Sequence, residues 1–192
     1  MQIILASTSR YRRDILTRLG IPFETVAPLC DEAALPSETV KDTTQRVARA
    51  KALSLKERFH SSLIIGADQL ASLDGEYIGK PRSFEHGIDM LVRMSNRTIV
   101  FYSALTLLNT RTGTEQETIA TSYVTLRSIN RDMARRYLIR EPDALHCAGA
   151  AKSEGLGSAL ITKIDSEDPN ALIGLPLFSL VHMLAREGVR VL

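Results

Sequence analysis

A chain of 192 residues suits one domain, with a core large enough to need no covalent staples. With 44% hydrophobic residues, 24% charged residues and a net charge of +2, the composition gives no reason to expect nucleic acid or a membrane as partner. Cys30 and Cys147 form no C-x-x-C pair, the apolar start is too short for a signal peptide, and no run approaches spanning length, so cytoplasm is the expected compartment.

Gln2 to Ala6 reads as a buried strand, and Ser7-Thr8-Ser9 as the N-cap of a helix that continues through Asp14 to Gly20, with Ile15, Leu16 and Leu19 on its apolar face. Arg10, Arg12 and Arg13 fall in the first turn, where the helix dipole disfavours cations. Hydroxyls, free amides and arginines gathered at one strand-to-helix turn make an anion site, most naturally for phosphate; the alternative is a solvated surface patch. Ile21 to Pro28 looks extended, and Asp31-Glu32 reads as an acidic turn. Thr39 to Arg58 predicts a long helix with Val47, Lys51 and Leu55 on one face. Leu63 to Ala67 predicts a buried strand ending at Asp68-Gln69, and Asp74-Gly75 predicts a hairpin between Leu70–Leu73 and Tyr77-Ile78.

Ser83 should cap a helix carrying Ile88, Leu91 and Val92. Two long strands, Thr98 to Leu108 and Glu115 to Arg127, are joined by a turn over Asn109 to Gly113. A helix from about Arg131 to Glu141 stops at Pro142, a strand is expected over Ser158 to Ile164, and a last helix starts near Pro176. Alternation followed by an antiparallel pair indicates an α/β protein with a mixed sheet.

Asp68, at the expected carboxyl end of a buried strand, stands where α/β sheets place ligand sites; it could hold Mg²⁺ or accept a proton from water, or merely cap a turn. Lys51, on a core-facing stripe, must snorkel or aim its ammonium at negative charge. Lys80 sits in the tight turn Gly79-Lys80-Pro81, which lacks Walker spacing. Asp31 and Glu32 could complete a metal site with Asp68, whereas His60, His86, His146 and His182 show no metal-ligand spacing. Together these residues are the equipment for Mg²⁺-dependent chemistry on a polyphosphate.

The ordered series Leu5-Ala6-Ser7-Thr8-Ser9 with Arg12-Arg13, Asp31-Glu32, Arg46-Val47-Ala48 with Lys51-Ala52, Ile64 to Gln69, Gly79-Lys80-Pro81, His146 to Gly149, Lys152 to Gly155, Asp168-Pro169-Asn170 and Gly174 to Leu177 resembles the Maf family of nucleotide pyrophosphatases over essentially the whole chain. Asp68-Gln69, Lys152 to Gly155 and Asp168 to Asn170 resemble its YceF-type branch, whose members act on 7-methyl-GTP. The resemblance implies an elongated mixed sheet flanked by helices, two lobes without a linker and a cleft between them. It implies hydrolysis between the α- and β-phosphates with a divalent cation, Mg²⁺ or Mn²⁺, and a role in clearing modified nucleotides. Asp68 matches the proton acceptor; Ser7, Ser9, Arg12, Arg13, Lys51 and Lys80 would bind phosphate; Glu32 and Asp68 would hold the metal; Tyr11, Gln69 and Glu154 fall at base-selecting positions. Arg10 stands where the family usually has proline, Tyr11 where the branch commonly has tryptophan, and Ser95-Asn96 where Ser-Gly is usual. Rival readings are a dTTP/UTP pyrophosphatase of the same family, against which Gln69 and Glu154 argue, and a non-catalytic nucleotide-binding regulator of cell division. The expected partner is a small nucleotide, and a homodimer is compatible with the sequence.

Overall fold

A computed structural model describes all 192 residues. Five helices and seven strands form an α/β protein with the strand order β2-β1-β3-β5-β6-β7 and β4 hydrogen-bonded to β3. The strands are β1 (Gln2–Ala6), β2 (Glu24–Val26), β3 (Ser62–Leu73), β4 (Glu76–Ile78), β5 (Thr98–Asn109), β6 (Glu115–Leu126) and β7 (Ile161–Ser166). The helices are α1 (Arg10–Thr17), α2 (Val40–Leu53), α3 (Phe84–Arg93), α4 (Arg131–Arg140) and α5 (Leu177–Arg186). The chain divides into two compact units, residues 1–69, 102–120 and 167–192 in the first and residues 70–101 and 121–166 in the second; β3, β5 and β6 each contribute to both.

In the first unit β1 is paired in parallel with β2 on one side and β3 on the other, Ile4 lying opposite both Glu24 and Ile64. Both faces of this layer are covered, which is why the strand sequences read as unbroken apolar runs. Ile3, Leu5, Leu63 and Ile65 pack against Ile15 and Leu16 of α1 and Leu180 and Leu184 of α5. Ile4, Ala6 and Ile64 pack against Ala52, near the end of α2, and Leu55 just beyond it. In the second unit β4 returns along β3 through the expected Asp74-Gly75 turn, and β7 lies antiparallel to β6. There Gly149 (φ +67°) donates its amide to the carbonyl of Gly79 at 3.0 Å, tying Gly149 to the turn that carries Lys80.

Four boundaries differ from expectation. Only Glu24–Val26 of the 21–28 segment is a strand, since only β1 is there to pair with it. The helix predicted to Arg58 stops at Leu53, with Ser54 returning its hydroxyl to the carbonyl of Lys51. The strand expected over 158–164 begins at Ile161, after a 3₁₀ segment at Leu156–Leu160, and runs to Ser166. Most consequentially, β3 does not end at Asp68-Gln69 but continues through them to Leu73, because β4 extends the ladder at Ala71 to Leu73. Asp68 is therefore held at mid-strand, where the backbone is more rigid than at a strand end.

Gly66 explains how α2 reaches that strand. A β-carbon there would lie 2.2 Å from the carbonyl oxygen of Ala48 and 2.7 Å from the amide nitrogen of Ala52, so helix backbone rests directly on strand backbone. The contact sets Lys51, one residue before Ala52, beside Asp68, two residues after Gly66. Gly66→Ala should drive α2 off the sheet at a cost of about 3 kcal/mol, lowering the melting temperature by roughly 6–12 °C. Thermal denaturation followed by circular dichroism checks this, and an unchanged melting temperature would refute the close approach.

Candidate functional site

The turn after β1 folds on its own polar groups. Ser7 donates its amide to the carbonyl of Val26 at 3.0 Å, while its hydroxyl oxygen accepts the amide of Ser9 at 3.1 Å. Ser9 caps α1 as expected, accepting the amide of Arg12 at 3.4 Å. Each hydroxyl thus spends its oxygen on the turn and keeps its hydrogen to offer to an anion.

The arginines of the first turn go three ways. Arg10 places its guanidinium 5.6 Å from the centre of the Tyr11 ring, a cation–π distance. Arg13 is exposed and lies 3.7 Å from Asp14, not beside Asp68 or Glu32. Arg12 turns inward. Its Nε donates to the carbonyl of Gly174 at 2.9 Å and its other nitrogen lies 3.8 Å from Asp68. Burial pushes the Arg12 guanidinium below its ordinary pKa, and the negative charges of Asp68 and Glu32 oppose that shift.

Lys51 resolves the choice that the sequence leaves open between snorkelling and an inward ammonium. It is 5% exposed, and its Nζ donates to Asp68 Oδ1 at 2.8 Å and lies 2.7 Å from Glu32 Oε2. Asp68 is itself 6% exposed, so the pair is taken out of water together. The second Asp68 oxygen has no partner within the protein and is open to solvent. The nearby Cys30 thiol is pushed up in pKa, chiefly by burial and then by Glu32, so it is no ready nucleophile.

Glu32 belongs to an irregular stretch anchored at its far end. Glu38 accepts from Arg46 at 2.9 Å, from the Thr43 hydroxyl at 2.9 Å and from the Leu35 amide at 3.1 Å, while Arg46 also donates to the carbonyl of Ala33 at 2.6 Å. Asp31, expected as a possible ligand beside Glu32, instead accepts the Ala33 amide at 2.9 Å and shapes the turn.

Gln69 is clamped from behind. Its Nε2 donates to the Ala171 carbonyl at 2.8 Å, to the Leu172 carbonyl at 2.9 Å and to the Ser103 hydroxyl at 2.9 Å. The segment making these contacts is shaped by Asp168, which accepts the amide of Asn170 at 2.9 Å and that of Phe178, in the first turn of α5, at 2.8 Å. Asp168 thereby supplies from a distance the cap that Pro176 cannot give. Sequence reasoning did not single out Ser103 or Glu38; a lone serine in the apolar Thr98–Leu108 run was the available signal for the first.

Lys80 and Glu154 belong to the second unit. Lys80 lines, with Tyr77, His86, Met90 and Met94, a cavity of about 250 Å³. Glu154 is exposed, with the Ser153 hydroxyl 3.3 Å from its carboxylate. Its loop winds around Glu141, which accepts from Lys152 Nζ at 3.0 Å and from the Leu156 amide at 3.0 Å; those bonds, the amide first, hold the Glu141 carboxyl below its usual range.

The family described as "Maf-like protein" matches residues 2–187. A 7-methyl-GTP pyrophosphatase of Chromobacterium violaceum is 58% identical over 192 residues, covering all of both chains. Proteins of the same name from Neisseria gonorrhoeae and Vibrio cholerae are 47% and 44% identical, each over 100% of this chain and 98% of the relative. No helix is long and apolar enough to cross a membrane.

Arg46, through its side-chain hydrogen bond, holds the Glu38 carboxyl down to about 2 from an ordinary 4.5. A depressed carboxylate contributes its full anchoring above about pH 4.5, and that contribution is lost as pH falls toward 2. Hydrogen exchange at the Leu35 amide should show protection disappearing through that window, whereas in Glu38→Gln it should be weakened throughout. Protection independent of pH and of the substitution would show that Glu38 does not anchor the segment.

Proposed function

This chain belongs to the Maf family, and on that premise we propose that it is a nucleoside triphosphate pyrophosphatase acting on 7-methyl-GTP. The reaction is hydrolysis between the α- and β-phosphates, giving 7-methyl-GMP and pyrophosphate. The observation that carries this reading is the buried Lys51 ammonium seated between Asp68 and Glu32, with Arg12 alongside. The substrate is taken from the names of relatives matched over their full length.

Asp68 is the proton acceptor. Lys51 holds one carboxylate oxygen, leaving the unpartnered oxygen to take the proton of the attacking water. The water's oxygen bonds to phosphorus as the bond to the leaving pyrophosphate breaks. Lys51 and Arg12 stabilise charge on the phosphate oxygens, and the hydroxyls of Ser7 and Ser9 donate to them. Arg13, exposed at the same turn, is the further cation able to meet the polyphosphate tail.

The donor set also fits a divalent cation. Two cations and two carboxylates cancel in charge, so a polyphosphate brings negative charge that this cluster alone does not neutralise. No three His, Cys, Asp or Glu side chains cluster as a metal cage. Two hard carboxylates suit Mg²⁺ or Mn²⁺ arriving with the phosphates, Asp68 and Glu32 being the residues to hold it. Such an ion would neutralise phosphate oxygens and polarise the reacting phosphorus.

Tyr11 supplies the aromatic face for the positively charged methylated base; its ring already lies within cation–π range of Arg10. Such stacking contributes about 0.5–2 kcal/mol.

Asp68→Asn, which preserves shape and an acceptor for Lys51, should fold and bind nucleotide yet lose about 10²–10⁴ in kcat. Pyrophosphate release from 7-methyl-GTP, GTP, dTTP and UTP, with Mg²⁺ and with chelator, checks the whole reading. Near wild-type turnover by Asp68→Asn would remove Asp68 as the base, and preference for dTTP or UTP would move the chain to the other substrate class.

A further inference from the structure

Another cavity, of about 340 Å³, lies wholly within the second unit, on residues that the proposed reaction does not use. Its floor is apolar. Tyr137 of α4 and Leu160, at the end of the 3₁₀ segment, are almost fully buried there, with Met133 and Leu156 beside them. The Tyr137 hydroxyl is engaged by the neighbouring loop, accepting the Lys152 amide at 3.1 Å. Burial pushes its pKa up to about 12, so it brings no negative charge to the cavity.

The rim is cationic. Arg127, Arg136 and Arg140 line it, and no acidic side chain does. Helix α4 treats its arginines in two ways. Arg131 and Arg135 are ion-paired with Glu85 and Asp89, whereas Arg136 and Arg140, on the cavity, meet no carboxylate. Those two stand one helical turn apart, where like charges repel. Arg127 adds a third cation from the chain after β6, its guanidinium 3.4 Å from the Ala159 carbonyl and its amide donating to the Leu160 carbonyl at 2.9 Å. Ile139, 65% exposed, leaves further apolar surface on the same lining. One exposed arginine requires no explanation. Three without a counter-charge, around an apolar hollow, match a molecule with an apolar body and an anionic head.

We propose that this cavity binds a small amphipathic anion, a carboxylate or phosphate monoester on an aliphatic or aromatic body. The body covers Tyr137 and Leu160, and the head meets the arginine forks, whose parallel N–H donors suit either group. The volume accommodates a chain of about 8–12 carbons. A neutral molecule of the same shape leaves the arginine charges unanswered, and a bare anion gains only a screened surface attraction. Tyr137 accepts the Lys152 amide and Glu141 accepts that of Leu156, so the occupant rests on residues that anchor the loop carrying Glu154.

The test titrates octanoate and octyl phosphate into the whole chain, with 1-octanol and acetate as body-only and head-only controls, followed by ¹H–¹⁵N spectra. No nucleotide is present, so the outcome is independent of the pyrophosphatase reading. At least one anion should bind with a Kd of about 1 mM or tighter and shift the amides of Arg140, Leu156, Ala159 and Leu160. Octanol and acetate should bind about tenfold more weakly or less. Whichever anion binds tighter identifies the head, and either result upholds the site. The double variant Arg136→Gln with Arg140→Gln changes two exposed residues and relieves their repulsion, so its melting temperature should not fall. It should weaken both anions about tenfold and leave octanol unchanged. Ala159→Trp, which fills the cavity from an exposed position, should abolish binding. Octanol binding as tightly as the anions, undiminished anion binding in either variant, shifts confined to residues outside the cavity, or no shift from either anion at about 10 mM would overturn the proposal.

Discussion

Everything at the site depends on burying Asp68 and Lys51 together. A carboxylate or an ammonium taken out of water alone carries a large desolvation cost; placed 2.8 Å apart, each offsets the cost of the other. Such a pair adds little net stability, so its presence is better explained by chemistry than by folding. It fixes one oxygen of Asp68 and leaves the other available. Removing Lys51 would leave the buried Asp68 carboxylate with only Arg12, at 3.8 Å, beside it, which is why the backbone contact at Gly66, which sets the helix at the right height, matters as much as the charged residues.

The cluster around this pair is balanced. Arg12 and Lys51 meet Asp68 and Glu32, and Arg12 needs that company, because burial lowers the pKa of its guanidinium. A neutral cluster is stable while empty, and a polyphosphate entering it upsets the balance unless positive charge comes with it. The dependence on a divalent ion proposed above follows from that balance rather than from a preformed cage.

Much of this was legible in the sequence because the elements carry strong local signals. The Ser9 cap, the Asp74-Gly75 hairpin and the stripe of α5 came from capping, turn chemistry and periodicity. Lys51 was conspicuous as a lysine on an apolar stripe, and its environment decided between two readings that the sequence alone left open. The failures have a common cause. Asp68-Gln69 looks like a strand end since polar residues interrupt an apolar run, yet pairing with β4 carries the strand onward. Ser103 and Gly174 matter only through partners 68 and 162 residues away in the chain, a separation that no local pattern encodes.

The segment from Asp168 to Gly174 joins two tasks that many proteins keep apart. One end of it caps the start of α5, an element of the apolar core, while its carbonyls hold Arg12 and Gln69. Mutational drift that loosens the helix start therefore reaches the Arg12 and Gln69 side chains directly, and a lineage varying this segment risks its own folding. Robustness and evolvability are coupled at this one stretch of chain, and its sequence should tolerate change less than its position on a connecting loop suggests.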